Sequence, residues 1–183
     1  MPNRCWQLDR EKATLNNPHP DLPCTPEEPQ TTLPIRAASL DDVKGIYKLL
    51  KQYSDRGILL PRPESDIFQS IREFLVVESN GEVIACCALQ IFTRNLGEIR
   101  SLAVVPEYTG FGFGKKLVQQ IEDEALRIGL TKLMALTYEV RFFNKNGYDV
   151  VEMNVLPEKV WGACINCHKF RNCDEIAVLK QIQ

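Results

Sequence analysis

From residue 33 onward the apolar side chains recur with periods of two or of three to four. Before it they show no period. Residues 1–32 hold Pro18, Pro20, Pro23, Pro26 and Pro29 among few apolar side chains, which predicts a disordered Pro-rich tail that buries too little surface to offset its ordering entropy. Residues 33–183 then form one domain. A short strand is expected over 34–37. Ser39 starts a helix, with Asp42 three positions on to complete a capping box and Val43, Ile46, Tyr47, Leu49 and Leu50 as its apolar stripe. Gly57 and Pro61 break that helix into a loop over 57–63, and a second helix over roughly 65–73 presents Ile67, Phe68 and Ile71. Strands over 74–78 and 83–92 flank Asn80-Gly81, a strong two-residue hairpin signal, and a third strand over 98–105 stops at Pro106. Gly110, Gly112 and Gly114 lead into a helix with Leu117, Val118, Ile121, Ala125 and Ile128 on one face and Gly129 as its C-terminal cap. A buried strand over 133–136, a short helix ending at Gly147, and edge strands over 149–152 and 175–179 complete a mixed α/β domain.

Composition narrows the function classes. The chain has 183 residues, 44% of them hydrophobic and 25% charged, the balance of one ordinary soluble domain. Its net charge of −2 argues against a general nucleic-acid binder. No apolar run approaches the ~20 residues that span a bilayer. Asp9, Arg10, Glu11 and Lys12 stand where a signal peptide would be apolar, so the cytoplasm is the default location. In a reducing cytosol the seven cysteines speak for metal or reactivity more than for disulfides. Cys86 and Cys87 sit in an apolar run and read as small buried hydrophobes; Cys5 and Cys24 fall in the tail.

The segment 104–116 carries the most chemistry. Alternating glycines where a strand enters a helix free backbone N–H groups for an anion, the helix dipole adds attraction for phosphate, and the absent Cβ lets the ligand come close. A dinucleotide fingerprint would need an acidic residue at the end of the next strand, where Thr137 and Tyr138 stand instead; a P-loop would need Ser or Thr after Gly114-Lys115, where Lys116 stands. Val104, Pro106, Tyr108, Gly110, Gly112 and Gly114 instead resemble the pyrophosphate loop of the GNAT acetyltransferase superfamily, with Thr109 in place of the usual Arg or Gln. The resemblance covers about residues 33–156. The segments 57–62, 74–78, 83–89, 97–104, Leu136-Thr137, Phe142-Phe143 and Leu156-Pro157 make it similar to the acetyltransferase domain of bacterial N-acetylglutamate synthases. The longer synthases carry a kinase-like domain ahead of this one. The chain resembles the short stand-alone form, for which feedback inhibition through that domain is not expected.

The resemblance implies a GNAT fold, a central mixed twisted sheet flanked by helices. It implies acetyl-CoA held by Leu102, Ala103, Val104, Thr109, Gly110, Phe111, Gly112, Phe113, Gly114 and Lys115, and acetyl transfer to the α-amino group of an amino acid, glutamate first. An ammonium must lose a proton before it attacks the thioester, and Glu98 stands where several members of the superfamily place a general base. The family's general-acid tyrosine, four residues before the glycine closing the last helix, is Phe143 here, so no general acid is assigned. A dicarboxylate acceptor wants guanidinium partners. Arg62 matches a synthase arginine, and Arg100 is the further candidate ahead of Arg94 and Arg141.

Cys164, Cys167 and Cys173, with His168, offer thiolates at spacing suited to zinc or an iron–sulfur cluster within the cysteine-bearing segment 160–175. The second ligand pair of a usual zinc site is missing. Redox-active or merely structural thiols are the other readings, and short synthase-like proteins carry a similar tail. The partners implied are an amino acid and acetyl-CoA, with neither nucleic acid nor membrane, and a second copy of the chain in a homodimer. Another amino acid such as glutamine, an amine, a protein N-terminus, or a non-catalytic CoA- or metal-responsive regulator are the competing roles.

Overall fold

The computed structural model describes residues 33–156, 164–167 and 172–183. The Pro-rich tail and His168 lie outside these residues, as do residues 160–163 and 169–171 of the segment 160–175. The strands are β1 (Ile35–Ala37), β2 (Phe74–Ser79), β3 (Glu82–Ile91), β4 (Leu96–Val104), β5 (Lys132–Thr137), β6 (Asp149–Val151) and β7 (Ile176–Gln181); the helices are α1 (Val43–Ser54), α2 (Glu64–Gln69), α3 (Phe113–Arg127) and α4 (Val140–Lys145). The seven strands form one sheet in the order β1-β2-β3-β4-β5-β7-β6. All neighbours pair antiparallel except β4 and β5.

Two-residue alternation divides the sheet's faces. Phe74, Val76, Cys86, Ala88 and Ala103 point to one face and pack with Val43, Ile46, Leu49 and Leu50 of α1. Val77, Cys87, Leu89 and Ile99 point to the other and pack with Phe113, Leu117, Val118 and Ile121 of α3. Burial pushes the Cys86 thiol up to about 12 and the Cys87 thiol higher still, so both are inert apolar fillers.

Local signals place the ends. The Ser39 N–H donates to the Asp42 carboxylate at 2.7 Å, and Arg36 grips the same carboxylate through two bonds of 2.7 and 2.8 Å. Asn80 and Gly81 both take positive φ, 51° and 78°, as a tight hairpin turn requires. Three expectations need correction. The second helix ends at Gln69 and gives way to a 3-10 turn over Ile71–Glu73, so Phe68 lies off its buried stripe and is 47% exposed. Gly114 lies inside α3, not in the loop before it. The last strand is no edge: β7 is inserted antiparallel between β5 and β6, where Ala177 and Val178 are buried. Its Lys180 holds it there, donating to Glu122 of α3 and to the Asn146 carbonyl at 2.8–2.9 Å. No helix among the described residues is long and apolar enough to cross a membrane.

Candidate active site

Two irregularities of β4 create the site. The first is a bulge: Cys86 faces Ala103 and Ala88 faces Arg100, so Cys87 alone stands opposite Ser101 and Leu102. Ser101 takes φ 54°, left-handed backbone that costs a residue carrying a Cβ. The second is a splay. β4 and β5 pair only at Leu96–Lys132, Gly97–Leu133 and Glu98–Met134, yet β4 runs on to Val104 and β5 to Thr137. Gly97 keeps the closed end tight, since a Cβ there would lie 2.8 Å from Leu130 and 3.0 Å from Leu133 and Leu89.

Beyond Glu98 the open strands enclose a cavity of about 560 Å³, walled by β4, by the loop leading into α3, by residues 136–139 and by Phe142 and Phe143 of α4. Gly110 and Gly112 have φ of 91° and 84°, left-handed backbone that glycine adopts freely, and a Cβ built on either would meet nothing within 4 Å. Gly112 is the N-cap of the 15-residue α3, and Phe113, Gly114 and Lys115 of its first turn lie on the wall. First-turn N–H groups have no intrahelical acceptor and sit at the positive end of the helix dipole. The cavity therefore offers an anion cradle beside a narrow apolar slot, which suits a pyrophosphate continued by a long thioester arm. The loop is pinned from behind by Tyr108, whose hydroxyl lies 3.2 Å from Ser79 Oγ and whose ring stands 6.2 Å from that of Phe113.

Nine of the ten residues expected around acetyl-CoA line this cavity; the exception is Phe111, which packs against the α3 core. Of the expected strand groups, the Val104 carbonyl already accepts the Tyr53 hydroxyl of α1. Phe143 is on the wall, buried edge-on against Phe142 and Tyr148 at 5.2 and 5.3 Å. Two further polar residues of the wall, Thr137 and Tyr138, carried no role from the sequence. Thr137 is buried where β5 ends, with Oγ1 accepting the Glu139 N–H at 2.8 Å, and Tyr138 donates to Asp174 at 2.6 Å. Glu175 also lines the cavity, so the chain just before β7 forms part of its wall.

The expected base and guanidinium groups gather on the α1 face. Glu98 is 4% exposed at the last rung shared with β5, below the cavity and not on its wall. Arg100, two positions on, lines the cavity and donates to Gln90. Arg62, from the loop before α2, reaches over Phe74 at 5.1 Å and donates to Ser101 Oγ at 3.0 Å and Ser70 Oγ at 2.8 Å, while its Nε is buried with no acceptor among the described residues. Burial, then the charge of Arg100, lowers the Arg62 pKa; burial raises that of Glu73 against the pull of both arginines. Arg94 and Arg141 are exposed and off the wall. Cys164 and Cys167 are half-buried in a turn closed by Cys167 N–H to Cys164 C=O at 2.9 Å, and Cys173 is exposed. Among the described residues no group of three or more His, Cys, Asp or Glu side chains is placed to hold a metal ion, so the zinc or iron–sulfur expectation finds no support there.

Residues 43–148 match the model of the acetyltransferase (GNAT) family, and the chain belongs to that family. It is 38% identical over 148 residues to an uncharacterized N-acetyltransferase of Chlorobaculum tepidum, covering 81% of this chain and 96% of that one. It is 34% identical to the amino-acid acetyltransferase of Serratia proteamaculans over 67% of this chain, but spans only 28% of that relative's length. Among solved structures, N-acetylglutamate synthase from Neisseria gonorrhoeae complexed with coenzyme A and N-acetyl-glutamate superposes with a TM-score of 0.73 at 26% identity, over 82% of this chain and 35% of the other. A Mycobacterium tuberculosis protein in complex with CoA and a further ligand superposes at 0.69 and 28% identity, over 80% and 98%. The protein is thus an acetyl-CoA-dependent N-acetyltransferase of the GNAT fold.

Proposed function

We propose that the chain acetylates the α-amino group of a free amino acid, glutamate first, and so makes N-acetylglutamate for arginine biosynthesis in the cytoplasm. One observation carries this reading: Arg100 lines the open end of the β4–β5 splay, and the Arg62 guanidinium is bonded to Ser101 on the same wall, so two cations stand together at the cavity. Guanidinium groups are the side chains best suited to take a carboxylate through paired, charge-assisted hydrogen bonds. The names of the amino-acid acetyltransferase and N-acetylglutamate synthase relatives support the same acceptor class.

In this reading the loop and first turn of α3 hold the pyrophosphate, and the β4 side of the splay holds the pantetheine arm. Arg62 and Arg100 hold the acceptor by its carboxylates. The acceptor nitrogen forms the new N–C bond as the C–S bond breaks, and the electron pair leaves on the thiolate. Glu98 takes the ammonium proton through a water, because it lies below the wall of the cavity. Glutamine is the second reading, favoured by Glu73: its carboxylate close to both arginines offsets part of the positive charge that a second acceptor carboxylate would meet. A thiol-release screen with acetyl-CoA over glutamate, glutamine, other amino acids and simple amines tests both. Preference for amines that lack a carboxylate would overturn the proposal.

A further inference from the structure

Ser101 is where the two halves of the site meet. Its backbone lines the cavity, and its hydroxyl accepts Arg62 Nη1 at 3.0 Å. It also occupies the bulge of β4 with φ 54°, a conformation that serine seldom adopts without a reason in the surrounding structure. Cys86 Sγ lies 3.4 Å from the Ser101 carbonyl, and regular pairing resumes on either side of the bulge, at Ala103 and at Arg100. Neighbouring residues thus hold the left-handed turn in place. In a regular strand the side chains of residues 100 and 101 would point to opposite faces. The bulge removes that alternation and leaves both Arg100 and the Ser101 hydroxyl available to the α1 side, where Arg62 arrives from a loop.

Building on the amino-acid reading, we propose that Ser101 is a positioning residue: the bulge presents its hydroxyl to Arg62, and that bond, with the one to Ser70, fixes the guanidinium beside the cavity wall where the acceptor carboxylate is held. The loop carrying Arg62 has no regular structure between Ile58 and Pro63. Without fixed partners its long side chain would lose rotamer freedom on binding, and acceptor affinity would fall.

Two variants separate hydroxyl from backbone. Ser101→Ala keeps the Cβ and removes the acceptor atom; Ser101→Gly removes both and relieves the left-handed strain, so it stays informative if the first variant folds poorly. Both are expected to raise the acceptor KM by roughly tenfold to a hundredfold, the loss typical of a bond to a charged group, with the acetyl-CoA KM changing less than about threefold. In an Arg62→Gln background, Ser101→Ala should add less than about twofold, because its partner is already gone. Effects that multiply across the two positions, or a Ser101→Gly enzyme with the wild-type acceptor KM, would overturn the proposal. The two readings fail differently. Wild-type enzyme indifferent to acceptor carboxylates removes the amino-acid reading; carboxylate selectivity with no shift in Ser101→Ala removes only the role of Ser101.

Discussion

The proposed cofactor side and the proposed acceptor side of β4 are built from different material. The cradle at the head of α3 is backbone: two left-handed glycines and the N–H groups of a first helical turn. The acceptor side is side chain: Arg62, Arg100, Ser70 and Ser101, brought from a loop, a strand, a helix end and a bulge. A backbone site needs particular φ angles and is indifferent to most side chains that respect them. A side-chain site needs particular atoms and a scaffold that aims them. Substitutions on the two sides should therefore fail in different ways.

The largest effect is expected where the two sides share a proton. Glu98→Gln removes the proposed base without changing shape, and kcat should fall by about 10²-fold or more. Steady-state rates across pH check this, and an unchanged profile would remove Glu98 from the role. Next, Gly112→Ala puts a Cβ into left-handed backbone at roughly 1–2 kcal/mol, so the acetyl-CoA KM should rise about fivefold to thirtyfold while the acceptor KM stays within twofold. Arg62→Lys should show the mirror pattern, with the acceptor KM up about tenfold and the acetyl-CoA KM steady, since a point charge replaces a planar fork. If either variant moves both constants equally, the division between the sides is wrong. Gly97→Ala tests the scaffold under both. Its Cβ would press on Leu130, Leu133 and Leu89, and overpacking should cost about 1–3 kcal/mol in thermal unfolding. The smallest functional effect belongs to Asp42, far from either side. Arg36 holds its carboxyl down to about 2. An unfolded aspartate titrates near 3.9, so this stabilisation is complete above about pH 4 and is lost as the pH falls toward 2. Asp42→Asn should flatten that part of the acid-unfolding curve and leave both KM values unchanged.

Sequence patterns reached the backbone side more readily than the side-chain side, and for a physical reason. Glycines, caps and a two-residue turn declare local φ angles, so the hairpin at Asn80-Gly81 and the cradle before α3 were legible from short segments. Arg62 and Arg100 are 38 residues apart, and no local rule shows that one charge depresses the other or that Ser101 stands between them. The bulge left no signal, because Ser101 is an ordinary strand residue until the pairing of Cys86 and Ala88 is known. Phe111 resembled its glycine-flanked neighbours in the motif but packs inward. Phe68 continued an apolar period that the turn at Ser70 cuts short. The last strand read as an edge because its run is short and flanked by polar residues; its two paired neighbours come from distant parts of the chain.

That strand has a consequence for how the enzyme comes into being. β7 follows the other six strands of the sheet in sequence, yet among the described residues it is the sole partner of β5 on the side away from β4 and the only link between β6 and the sheet. A growing chain that has emerged as far as α4 holds the glycine cradle and both arginines, but β5 still has a bare edge and the outer wall of the catalytic opening is unsupported. Closure of the sheet beside the cavity therefore waits for β7, and a chain made only as far as α4 would present β5 as an adhesive strand to its neighbours.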